Sequence, residues 1–261
     1  MPIHATRPAA PYIGGKRALA ARLASKIDAT DHRLYAEVFG GMAGVFLRRE
    51  RPPKVEVIND RSRDVATFFR ILQRHYVPFV EMLRFQLTTR AEFERLQATD
   101  PDTLTDLERA ARFLYLQRTA FGGKVAGRSF GVAPDRPGRF DVTNVVPLLE
   151  SLHERLSAVV IECLDFRDFL RRYDRPTTLF YLDPPYWGSE GDYGRALFER
   201  SDFADLAVAL RGLKGRFILS INDTPEIRAL FDELEMETAE VTYTVARSGS
   251  KKVGELIISG P

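Results

Sequence analysis

Short apolar and β-branched runs alternate with helical patterns along most of this chain, and no other feature constrains the fold as much. Leu34–Phe39, Val55–Asn59, Ala158–Leu164, Thr178–Asp183 and Arg216–Asn222 read as buried strands, each ended by a polar or turn residue. Helical patterns at Arg17–Ile27, Arg63–Gln73, Phe203–Leu213 and Ile227–Leu234 lie around them. The last is opened by Thr224 as N-cap and Pro225 at the first helical position. Strand alternating with helix predicts an α/β layer fold with a mostly parallel sheet. Glu237–Val245 and Glu255–Ser259 close the sheet and can pair as a hairpin through Ser248-Gly249-Ser250. The rhythm breaks from about Tyr76 to Leu156, where only helices and loops are visible. Thr89 with Glu92, and Thr105 with Glu108, have capping-box spacing, and the second helix is expected to run to about Ala120. We expect a main domain from 1–75 and 157–261, carrying an inserted helical subdomain at 76–156.

The composition, 44% hydrophobic and 28% charged over 261 residues, excludes disordered and fibrous chains. No apolar run approaches the roughly 18 residues of a membrane span, and the N-terminus lacks a signal peptide's apolar core, so a cytoplasmic location is expected. One cysteine, Cys163, and four histidines leave no disulfide and no metal-ligand spacing; Cys163 itself is expected to fill the core of a strand. The net charge is only +2, but between Arg109 and Arg139 seven basic residues face a single acid, Asp135. Such a segment suits a surface that meets nucleic acid, and equally a solvated helix and loop. Arg118, Lys124 and Arg128 are the candidate nucleic-acid contacts.

Chemistry concentrates in three places. Leu179-Phe-Tyr-Leu-Asp-Pro-Pro-Tyr186 ends a buried strand in an acid, two prolines and an aromatic. Ligands of open α/β sheets sit beyond the carboxyl ends of strands. The prolines stiffen the corner and remove two N–H donors, leaving a rim of acceptors beside Asp183. With Tyr186 as a stacking face, that rim suits a planar ring bearing an exocyclic amine. Leu34-Tyr-Ala-Glu-Val-Phe-Gly-Gly-Met-Ala-Gly44 runs from a strand into a glycine turn, and Asp60 ends the next strand. Together they indicate an adenosine-containing cofactor, although Asp60 alone also suits a turn or helix cap. Pro11-Tyr-Ile-Gly-Gly-Lys16 adds a flexible turn with a cation and an aromatic face.

Tyr-Ile-Gly-Gly-Lys (12–16), Glu-Val-Phe-Gly-Gly (37–41), Asn-Asp (59–60), Asp-Phe (165–166) and Asp-Pro-Pro-Tyr (183–186) occur in the order of the Dam-like N6-adenine DNA methyltransferases. The chain resembles that family over nearly its whole length, most of all its phage and prophage members. The resemblance implies a Rossmann-like sheet that takes S-adenosylmethionine as methyl donor and double-stranded DNA as substrate. The sequence leaves the oligomeric state open, and a monomer is the expected form. It implies that Tyr12, Gly14 and Lys16 flank the methionine end and that Phe39, Gly40 and Gly41 form the cofactor turn. It also implies that Asp60 holds the ribose hydroxyls and that Asp165 and Phe166 border the adenine. Asp183, Pro184, Pro185 and Tyr186 would grip a flipped-out adenine, and 76–156 would read the target site. Methylation is expected to be site-specific or, because that block is short and glycine-rich, relaxed in sequence preference. Two positions depart from the family: Val38 stands where it usually has proline, and the turn reads Phe-Gly-Gly-Met-Ala-Gly rather than Phe-x-Gly-x-Gly. RNA adenine methylation and a catalytically silent nucleic-acid-binding module are the alternative readings.

Overall fold

The computed structural model describes residues 5–16, 18–132, 135, 137–194, 197–245 and 249–260. Seven strands form one sheet: β1 (Leu34–Glu37), β2 (Val55–Asn59), β3 (Val160–Glu162), β4 (Thr178–Leu182), β5 (Arg216–Asn222), β6 (Glu235–Val245) and β7 (Gly249–Gly260). Their order is β3-β2-β1-β4-β5-β7-β6. The first five run parallel, and β7 enters antiparallel between β5 and β6. The order turns back on itself between β1 and β4, which places the loops after these two strands side by side at one end of the sheet, where ligands of such sheets bind.

Period-two burial builds a core on each face of the sheet. Tyr35, Ile58, Leu179, Tyr181, Ile218 and Ile257 face one side. There they pack against α1 (Ala20–Ala29), α2 (Arg63–Arg74), α3 (Tyr76–Leu83), α5 (Asp106–Thr119) and α6 (Val142–Leu156). Ala36, Val57, Phe180, Leu182, Leu219 and Leu256 face the other, against α7 (Phe166–Tyr173), α8 (Asp202–Arg211) and α9 (Pro225–Leu230). The helices of 76–156 therefore share a core with α1, α2 and the sheet. Among the described residues of this block, α4 (Arg90–Ala98) buries Phe93, and loop residues 121–132 and 137–141 bury few side chains.

Several boundaries differ from the sequence pattern, each for a local reason. β1 stops at Glu37, because the chain turns at Val38 to start the glycine loop. β3 keeps three residues, because the Asn59 side chain takes over the backbone of Leu164. Cys163 is exposed just past this short edge strand and does not fill the core. β6 begins at Glu235 instead of Glu237 and ends at Val245 as expected, whereas β7 begins at Gly249 and takes in Gly249 and Ser250 of the expected turn; Ser248 lies outside the described residues, as does Arg17 ahead of α1. The second capping box is complete, with Thr105 and Glu108 each receiving the other's backbone N–H. The first is half made: Thr89 Oγ1 accepts from Glu92, but the Thr89 N–H goes to the Tyr115 hydroxyl.

Candidate active site

A cavity of about 620 Å³ opens at the carboxyl ends of β1, β2 and β4. The three segments that carry the chemistry all reach its walls. Tyr12, Gly14, Gly15 and Lys16 form one side, Glu37 to Met42 the floor and Asn59 to Arg61 another side, with Leu164, Phe166, Asp183 and Pro185 among the other lining residues. Distant stretches of sequence meet here because each follows, or packs on, the end of a central strand.

The glycine turn is shaped by close contacts. A Cβ on Gly40 would stand 2.7 Å from Ile58 Cγ2, and one on Gly41, at φ +49°, would stand 3.1 Å from the Tyr12 ring. Gly14, at φ +72°, would drive a Cβ to within 2.0 Å of the Tyr193 hydroxyl. Asp60 ties the turn down: one carboxylate oxygen accepts the Gly41 N–H at 2.7 Å and the other the Ser62 N–H at 2.8 Å. Burial pushes this carboxyl up to about 6 against the pull of those two bonds. Asn59 staples three loops, donating to the carbonyls of Val38 and Leu164 and accepting the Leu164 N–H. The departure at Val38 has a use, since its N–H donates to the Tyr181 carbonyl at 2.9 Å, a bond proline cannot make.

Phe39, Phe166 and Phe198 form an aromatic slot on the same wall, with ring centroids 5.7–5.9 Å apart. Asp165 does not line the cavity. It caps α7 through the Arg167 N–H and pairs with Arg61 and Arg167, which fixes Phe166 beside the slot. Glu37 is buried, accepts the Tyr35 hydroxyl at 2.6 Å, and is pushed up to about 8 by desolvation.

Asp183 stands one residue past β4, against a buried ammonium. Lys16 Nζ lies 2.9 Å from Asp183 Oδ1, 3.0 Å from Glu255 Oε1 and 2.7 Å from the Tyr186 hydroxyl, and 4.2 Å from the centroid of the Tyr186 ring. The Asp183 side chain keeps 21% of its surface exposed, whereas Lys16 and Glu255 keep 1% and 0%. Burial pushes Asp183 up to about 7, and Lys16 offsets part of that. Burial alone lowers the Lys16 ammonium, and the two carboxylates outweigh it and hold it above the usual lysine value. The corner is braced from β5, where the Asn222 side chain accepts the Trp187 N–H at 2.9 Å and donates to the Trp187 carbonyl at 3.1 Å. Pro184 is buried, and neither it nor Tyr186 lines the cavity wall. The arrangement offers a carboxylate and donor-free backbone to an amine, next to a slot for a second planar ring.

The basic segment divides. Arg109 and Arg112 are buried, and both pair with Asp64, Arg109 at 2.5 Å and Arg112 at 3.9 Å. Arg109 also reaches Asp102 at 2.7 Å. These two hold α5 against α2 instead of facing a ligand. Arg118 lines the cavity and donates to the Ala9 carbonyl, and burial holds its guanidinium below the usual value. Arg128 is half-buried, reaching the Lys124 carbonyl and Gln117 Oε1. Lys124 is exposed. Sequence reasoning missed Glu255, Asn222 and Tyr193 as parts of this site, because nothing in their local sequence distinguishes them from other strand and loop residues. Among the described residues no helix is long and apolar enough to cross a membrane, and no group of three His, Cys, Asp or Glu could hold a metal.

The model of the D12 class N6 adenine-specific DNA methyltransferases matches residues 12–245. The chain is 26% identical to Type II methyltransferase M1.LlaDCHI of Lactococcus lactis subsp. cremoris, over 97% of this chain and 95% of that one. It is 22% identical to Type II methyltransferase M.CviBI of Paramecium bursaria Chlorella virus NC1A, over 87% and 86% of the two chains. Among solved structures, the precorrin 8w decarboxylase of Methanobacterium thermoautotrophicum superposes at a TM-score of 0.40 and 11% identity, covering 98% of this chain and 96% of that one.

Proposed function

This chain belongs to the D12 class N6 adenine-specific DNA methyltransferases, and we propose that its strand-end cavity holds S-adenosylmethionine beside a flipped-out adenine gripped by Asp183. The observation that carries the reading is the meeting of Asp183, the glycine turn and Asp60 on one cavity of about 620 Å³. That volume lies within the range of small-molecule sites. The donor set fits the cofactor: Asp60 keeps lone pairs for ribose hydroxyls, Phe39, Phe166 and Phe198 flank a slot for its adenine, and Tyr12 closes over Gly41.

When bound, S-adenosylmethionine supplies an electrophilic methyl group. The residues do the rest by position. Adenine N6 is a poor nucleophile, because its lone pair is delocalised into the ring. Hydrogen bonds from N6 to Asp183 and to the Pro184 carbonyl localise that lone pair and aim it. Acceptors already in place cost no reorganisation during transfer. Asp183, with its carboxyl pushed up to about 7, is basic enough to take the proton that N6 releases after transfer. Extruding the base costs about a few kcal/mol, and stacking on Tyr186, on the order of 1–3 kcal/mol, offsets part of it. Lys124, exposed in the loop after α5, serves as a phosphate contact, with Arg128 beside it and Arg118 on the cavity wall.

The experiment is single-molecule sequencing of DNA from cells expressing the chain, paired with competition between duplex DNA and RNA in vitro. N6-methyladenine over several related sites in DNA is expected. One strict long motif refutes the relaxed preference, and preferential transfer to RNA refutes the substrate.

A further inference from the structure

We propose that Glu255 is a positioning residue for methyl transfer: from β7 it holds the Lys16 ammonium partly away from Asp183, so that Asp183 keeps acceptor capacity for the adenine amine. This deepens the function proposed above and rests on Asp183 being the acceptor.

The geometry carries it. An ammonium has three N–H donors, and Lys16 meets three acceptors, Asp183 Oδ1 at 2.9 Å, Glu255 Oε1 at 3.0 Å and the Tyr186 hydroxyl at 2.7 Å. All sit where solvent scarcely reaches Lys16 or Glu255. Were Asp183 the only carboxylate beside this buried cation, the pair would collapse onto itself and the ammonium would compete with N6 for the same oxygens. A second carboxylate draws the ammonium to a shared position.

The strand pairing makes the arrangement rigid. Glu255 stands opposite Asn222 in the β5–β7 register, and Asn222 clamps both backbone groups of Trp187. One cross-strand pair thus braces the Asp183–Trp187 corner at both ends, through Lys16 and Tyr186 at the front and Trp187 at the back. The titratable groups around Asp183 are Lys16 from the N-terminal loop, Glu255 from β7, Glu37 from β1 and Tyr181 from β4.

The test is single-turnover methyl transfer across pH with E255Q, with calorimetric affinity for S-adenosylmethionine measured beside it. The expected result is a rate about tenfold lower or worse with cofactor affinity within about threefold, and an acid limb moved to lower pH, because losing a like charge makes Asp183 easier to ionise. A purely structural role lowers the rate without moving the limb downward. The parent rate, or an unmoved limb, overturns the proposal. A second comparison stands even if E255Q alone does not fold. If Glu255 acts only through Lys16, K16Q and K16Q/E255Q transfer methyl at the same rate, whereas a double variant more than about threefold slower overturns the proposal. An active D183N overturns the underlying assignment of Asp183. An inactive D183N beside a fully active E255Q overturns the role of Glu255 alone.

Discussion

Asp183→Asn removes one charge from the reacting corner while leaving its shape. In the native cluster the carboxylate accepts from Lys16 at 2.9 Å and presents a side chain 21% exposed toward the cavity. The amide keeps one carbonyl oxygen, and Lys16 claims it. The adenine amine then faces an NH₂ donor instead of an acceptor, so the lone pair of N6 is no longer localised. Losing one preorganised hydrogen bond of this kind costs about 3–4 kcal/mol of the barrier, a fall of about 10²–10³ in rate. Stability changes less, because Lys16 retains Glu255 at 3.0 Å and the Tyr186 hydroxyl at 2.7 Å and is not left as a lone buried charge. Single-turnover transfer of labelled methyl to duplex DNA measures the rate, calorimetry the cofactor affinity, and thermal unfolding the fold. A slow, folded D183N that binds the cofactor with near-parent affinity is expected. A rate within threefold of the parent would refute the reasoning.

The cavity's carboxyls also predict a stability profile. Glu37, Asp60 and Asp183 are pushed up to about 8, 6 and 7 in the folded chain, so between about pH 4 and 8 the native state holds protons the unfolded state has released. Stability of the free protein therefore falls as pH rises through that window. Glu37→Gln should remove on the order of 4 kcal/mol of the stability lost between pH 5 and 9, and an equal change in unfolding free energy for parent and variant between those pH values would contradict this. Gly14→Ala, which forces a Cβ to 2.0 Å from the Tyr193 hydroxyl, should weaken cofactor binding about tenfold with a modest loss of melting temperature; unchanged calorimetric affinity counts against it. Lys124→Ala should weaken DNA binding at every sequence and lower the salt slope by about one, whereas Arg112→Ala should cost stability and leave that slope alone. Thr105→Ala, which opens the complete capping box, should cost about 1 kcal/mol in chemical unfolding.

The strands at the centre of the sheet were readable because both of their faces are buried, so apolar residues run unbroken through Leu179–Leu182 and Phe217–Leu219. Edge strands were legible in position, and the extent and burial of β3 were not. β3 is exposed at Val160, and its neighbour Cys163 looked apolar in sequence while facing out. The glycine turn and the Asp-Pro-Pro-Tyr corner were legible because their chemistry is local. Glu255 was not, since it meets Lys16 across 239 residues of chain and only the antiparallel insertion of β7 brings them together. Charge misled at Arg109 and Arg112, where Asp64 and Asp102 draw inward side chains that sequence alone assigns to a basic surface.

A crystal of this enzyme grown with S-adenosylhomocysteine would locate the cofactor directly. The account requires density in the strand-end cavity, with the ribose hydroxyls at Asp60, the ring against Phe39 and Phe166, and the sulfur turned toward Asp183. Density elsewhere, or a sulfur facing away from that carboxylate, would contradict it.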